Sequence, residues 1–241
     1  MHARALIVLL TVAGCAHAPP PAPPPRPAPA KVEAPPLAET REDSMVVAGT
    51  LGTLTDEEMN GPFKKRWSDV SRCYMAQKLK MGYLGGKVEL RLRIGAGGAP
   101  TVVHVVTPLG SLEAERCLVA LARELSFGKP HGGPEAEFTY PVDFPVDATL
   151  RNWEPERGAK ALGKAKRDLQ ACARNAPATT TGPVTMTLYV GPGGKVTSAG
   201  IGADTPVDEK LATCLCDRAT KTWRLDDPLG AMAKVTFQVA R

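Results

Sequence analysis

The sequence predicts an α+β fold built from two tandem copies of one small unit. Each copy reads helix, strand, strand, helix, strand: an αββαβ order, with a small antiparallel sheet and helices packed on it. Three observations carry this. Cysteines recur at matching places, Cys73 and Cys117 in the first copy, Cys172 and Cys214 in the second. Each copy has a Gly-rich turn between two strand-like runs, Gly95-Ala96-Gly97-Gly98 and Gly191-Pro192-Gly193-Gly194. Each closes on an alternating apolar run. A repeat of order, turn chemistry and cysteine placement marks duplication.

The first copy occupies residues 45–147. Asp56 to Leu79 reads as a helix with Thr55 as N-cap and Glu58 completing a capping box. Pro62 lies inside that span, so Gly61-Pro62 is the alternative start, with Pro in the first turn. Phe63, Trp67, Val70 and Tyr74 recur at helical spacing as one apolar stripe. From Lys87 to Ile94, Val88, Leu90, Leu92 and Ile94 alternate with charged residues, as in a strand with one wet face. Thr101 to Thr107 returns, placing His104 on the solvent side. Leu112 to Leu125 is a helix capped by Ser111. Glu113 and Glu115 diverge on it and favour the positive end of its dipole. Glu137 to Phe144 closes the copy.

A connector, Asp147 to Arg157, leads to the second copy at 155–241. Ala159 to Arg174 is its first helix. Val184, Met186, Leu188 and Val190 form the inward face of a strand, and Lys195 to Ile201 returns. Val207 to Trp223 is the second helix, and Lys234 to Ala240 closes, with Val235, Phe237 and Val239 inward. Lys160, Lys164, Lys166 and Arg167 form a basic helix face, read as solvated.

The amino terminus reads as a targeting segment, residues 1–15. Arg4 precedes a short apolar run, Ala5 to Ala13, too short for the roughly 20 residues that span a bilayer. Val12-Ala13-Gly14-Cys15 resembles a bacterial lipobox, which implies diacylation of Cys15 and a stable membrane anchor. Ala16 follows the Cys, which by resemblance to enterobacterial sorting favours the outer membrane, facing the periplasm. Residues 16–44 form a Pro/Ala-rich linker, with 10 prolines between Pro19 and Pro36. Such a run favours extended polyproline II and reaches roughly 55 Å at about 3.1 Å per residue.

An exported chain can oxidise its thiols. Of six cysteines, setting aside Cys15 leaves an odd number. Links Cys73–Cys117 and Cys172–Cys214 would each staple two helices. Cys216 is then the unpaired thiol, although it can replace Cys214 as the partner of Cys172. The formal charge of +5 is mild and scattered, which argues against a nucleic-acid partner.

Cys73-Tyr74, Gly86-Lys87-Val88 leading to Gly97-Gly98, Glu115-Arg116-Cys117-Leu118 and Tyr140-Pro141-Val142-Asp143-Phe144 together resemble the AgmX/PglI C-terminal domain family, itself similar to the TonB C-terminal domain. The second copy diverges: Ala173 stands where the aromatic would follow the Cys, and its last strand has no Tyr-Pro. The resemblance implies a periplasmic interaction module and no reaction. Such a module can bind a protein or cell-wall (peptidoglycan) partner by adding a strand at an open edge, here Glu137–Phe144 or Lys234–Ala240.

Catalytic signatures are absent. No G-x-S-x-G turn occurs. His104 and His131 stand at no metal-ligand spacing, so neither a metal nor a cofactor is expected. His131 sits in a Gly/Pro loop. The rival reading is a thiol-disulfide redox or sensing protein, since Cys214-Leu215-Cys216 resembles the CxC of some disulfide isomerases. In a third reading the two copies pack on each other through the connector around Trp153.

Overall fold

The computed structural model describes residues 51–174 and 181–240. It is α+β, with five α-helices and two small sheets. The first half holds α1 (Asp56–Lys65), α2 (Trp67–Met81), β1 (Gly86–Gly95), β2 (Pro100–Thr107), α3 (Leu112–Arg123) and β3 (Glu135–Phe144). The second holds β4 (Arg151–Trp153), α4 (Ala159–Ala173), β5 (Val184–Val190), β6 (Val196–Ala203), α5 (Glu209–Thr222) and β7 (Ala233–Val239). Both halves belong to one compact unit, Val46–Arg241.

The capping box at Thr55 forms, with Thr55 Oγ1 accepting from the Glu58 N–H and the Glu58 carboxylate accepting from the Thr55 N–H. The expected single helix is broken at Arg66, whose φ of −109° and ψ of 21° leave the helical range. The break turns Trp67 outward: it is 45% exposed, while Phe63, Val70 and Tyr74 are buried as the stripe requires.

The first sheet has the order β2-β1-β3, all antiparallel. Val88, Leu90, Leu92 and Ile94 of the central strand are fully buried under α2 and α3. Aromatic rings seal this core: Phe63 stacks on Tyr140 at 3.8 Å and Tyr74 on Phe144 at 4.3 Å between centroids. Gly98 takes φ +84° in the β1–β2 turn, and a Cβ there would lie 2.4 Å from the Phe127 carbonyl, so glycine is required twice over.

The second sheet has the order β4-β7-β5-β6. The connector supplies β4, parallel to β7 from Arg151↔Ala233 to Trp153↔Val235. This three-residue strand was not foreseen, and it carries no periodicity to reveal it. It takes the start of the edge that Lys234–Ala240 was expected to leave open. Trp153 packs on the second core rather than between the halves, which corrects the third reading of the connector.

Two disulfides staple the helix pairs. Cys73–Cys117 joins α2 to α3 with Cα atoms 5.5 Å apart, and Cys172–Cys214 joins α4 to α5 at 5.8 Å. Cys216 is free and buried. The alternative pairing of Cys172 with Cys216 is not the one formed.

Candidate functional site

The most heavily built polar region lies where the two halves meet. The expected inward face of β5 is Val184, Met186, Leu188 and Val190, and on its other face Thr187 and Tyr189 are as fully buried as Met186 and Leu188. The reason is the first half. The Thr187 hydroxyl donates to the Pro108 carbonyl at 2.9 Å. The Tyr189 hydroxyl donates to the Gly85 carbonyl at 2.9 Å and accepts from the Gly85 N–H at 3.1 Å. Lys234 Nζ donates to the same carbonyl at 2.8 Å, and Ser198 Oγ to the Gly110 carbonyl at 2.6 Å. Gly110, at φ +102°, lies against the Tyr189 ring, where a Cβ would come within 2.6 Å.

Glu115 sits at the centre of this contact. It lies in the first turn of α3, as its expected place at the helix dipole requires, and it is buried there at 2% exposure. Oε1 accepts from the Gly110 N–H at 2.8 Å and Oε2 from the Ile201 N–H of β6 at 3.2 Å. One carboxylate thus satisfies an N–H from each half. Burial pushes its carboxyl up to about 7, against the pull of those N–H donors. Gly200 makes room: a Cβ there would lie 2.0 Å from Glu115 Oε1. A signal for the burial existed in the sequence, since Leu112, Glu115, Val119 and Ala122 share one helical stripe.

Beside Glu115 a cleft of about 300 Å³ opens between α3 and β2 on one side and β6 with the start of α5 on the other. Val103, Val105, Val119, Ile201 and Val207 give it apolar walls, and His104, Arg116 and Arg123 supply nitrogen. His104 is buried at 8% exposure, not solvent-facing, because the loop after β6 covers it. Its Nε2–H donates to the Asp204 carbonyl at 3.2 Å, and Arg91 donates to the same oxygen at 2.9 Å. Burial holds the imidazole below its usual pKa, so it is neutral at pH 7 with a bare Nδ1. That Nδ1 is buried without a partner, as is Arg116 Nε, whose guanidinium otherwise engages Glu209 and Thr213.

The thiol chemistry is poorly served. Cys216 is buried, and burial pushes its thiol up, reinforced by Glu115 and Glu113 nearby. A nucleophilic cysteine needs the opposite environment. Among the described residues no group of three or more His, Cys, Asp or Glu is placed to hold a metal ion. His131 joins its loop to α1 instead, with Nε2 3.0 Å from Glu58 Oε1.

The strand edges differ. The outer edge of β3 is touched only at its start, where the Gly52 N–H donates to the Glu135 carbonyl at 2.6 Å. From Glu137 to Phe144 no strand pairs that edge among the described residues. β2 and β6 are edge strands of the first and second sheets, and they meet: a Cβ on Gly202 would lie 2.5 Å from the Val106 carbonyl. Lys164, Lys166 and Arg167 are exposed on α4.

No protein-family model, curated protein or solved structure matches the chain. Cys15 and the linker at 16–44 lie outside the described residues. Among those described, no helix is long and apolar enough to cross a membrane.

Proposed function

We propose that this chain is a non-enzymatic lipoprotein of the cell envelope that binds a periplasmic or outer-membrane protein or a cell-wall partner. In this reading Cys15 is acylated, residues 16–44 form the stalk, and the two halves are TonB-C-like modules of the AgmX/PglI kind. The observation that carries it is the open edge of β3. A long edge strand with unpaired backbone groups is a template for an added strand. Its exposed residues Glu137 and Thr139 leave that edge reachable, and Pro141 limits indiscriminate pairing. The buried, raised Cys216 thiol favours this binding role over redox chemistry.

Two measurements test it. A photo-crosslinking residue at Thr139, activated in cells, is expected to capture a discrete envelope partner that the same residue at Lys164 does not. Equal capture from both positions, or none, overturns the edge assignment. Metabolic labelling with a fatty acid is expected to mark the protein and to be lost in Cys15→Ser; labelling that survives overturns the anchor.

A further inference from the structure

We infer that the open edge of β3 takes a cationic strand, an extended segment of a partner protein in which Lys or Arg alternates with apolar residues. The inference rests on the binding role proposed for that edge and adds the chemistry of its partner.

The backbone fixes which residues face outward. The Gly52 N–H reaches the Glu135 carbonyl from outside the sheet, so that carbonyl points away from β1. The direction of the peptide groups alternates residue by residue along a strand. Thr139 and Asp143 therefore turn both N–H and C=O to the open edge, while Phe138 and Tyr140 turn theirs to β1. Pro141 shares the outward set, where its missing N–H costs the β1 ladder nothing. Beyond Ala136 no strand or bridge covers this edge among the described residues.

The side chains set the partner's pattern. Glu135, Glu137 and Asp143 lie on the wet face with Thr139 and Pro141, and β3 holds no cation. β1 answers from the inner side, with Arg93 opposite Glu137 and Lys87 opposite Asp143. That answer is incomplete. Arg93 serves two carboxylates, at 2.9 Å from Glu137 and 3.9 Å from Glu135. Lys87 pairs with Glu89, and Asp143 makes no ion pair among the described residues. A strand added outside meets this surplus negative charge, and opposite charges across a strand pair are favourable. On the other face Ala136, Val142 and Phe144 are buried, but Phe138 and Tyr140 are only half-buried. Apolar side chains of the partner cover these two rings. β1 is itself a strand of this kind, with Lys87, Arg91 and Arg93 alternating with Val88, Leu90 and Leu92.

The test is amide hydrogen exchange on the full chain, read residue by residue by NMR. The probe is an acetylated, amidated octapeptide with the sequence of Lys87–Ile94. Its control has every Lys and Arg replaced by Glu. In the free chain the Thr139 and Asp143 amides are expected to exchange freely. The cationic peptide is expected to slow them several-fold at a concentration where the control does not. Glu137→Lys with Asp143→Lys is expected to reverse the preference. The Phe138 and Tyr140 amides, held by β1, report in the same spectra that the variant is folded. Equal protection by both peptides overturns the cationic pattern and leaves the edge as a docking site. Protection by neither overturns the cationic partner and leaves the edge to the in-cell crosslink. Amides already slow in the free chain mean that the edge is covered, which overturns both.

Discussion

Glu115 shows how a residue can be placed in its helix by sequence while its burial is not. Its position in the first turn of α3 is legible, and its place on the apolar stripe of that helix argues for burial against its charge. The stripe wins because Gly110 and Ile201 supply N–H groups from two halves that no local pattern brings together. Its titration has a definite sign. The folded value of about 7 lies above the ordinary 4.5, so the folded state holds this proton more tightly than the unfolded chain. The resulting stability is fully present below about pH 4.5 and is lost as pH rises through about 7. Urea unfolding of the native chain and Glu115→Gln at pH 5 and pH 8 checks this. The native chain is expected to lose more stability than the variant on going to pH 8. Gly200→Ala acts at the same point, forcing a methyl against Glu115, and is expected to cost about 1–3 kcal/mol in the same assay. His104 follows the same logic as Glu115: alternation placed it opposite Val103 and Val105, and only the chain's return past Asp204 covers it.

At the scale of elements, the strands with a strict alternation were legible. Val88 to Ile94 and Val184 to Val190 are where the pattern places them, because a buried face and a period of two leave little choice. The helix pairs were legible through their cysteines. Each disulfide closes a loop, of 44 and 42 residues, and the chain-entropy estimate for either is about 4 kcal/mol. Cys172→Ala with Cys214→Ala is therefore expected to lower the denaturant midpoint strongly. A negligible shift would mean that the α4–α5 packing needs no staple. β4 and the second buried face of β5 were not legible, since both depend on partners distant in sequence. Tyr189→Phe removes both bonds to Gly85 and leaves the Gly85 N–H unpaired in the interior, while the Gly85 carbonyl keeps its bond from Lys234. It is expected to cost about 1–3 kcal/mol, read by thermal unfolding.

For the molecule as a whole, the repeat in the sequence suggested two beads, and the structure joins them. Thr187, Tyr189, Ser198 and Lys234 of the second half bond to backbone carbonyls of the first, and Glu115 binds an N–H of each. Neither half can leave without stranding these groups, and stranded buried polar groups are expensive. The joined unit offers the β3 edge on one sheet, while β4 covers the start of the matching edge on the other. The two halves thus form one unit whose sheet edges are not equivalent. The most direct test is native-state amide hydrogen exchange on the full chain, comparing the central strands β1 and β5. One joined unit predicts the same opening free energy for Val88–Ile94 and Val184–Val190, lowered together by Gly200→Ala. Two different opening energies, with only one strand responding to that substitution, would contradict it.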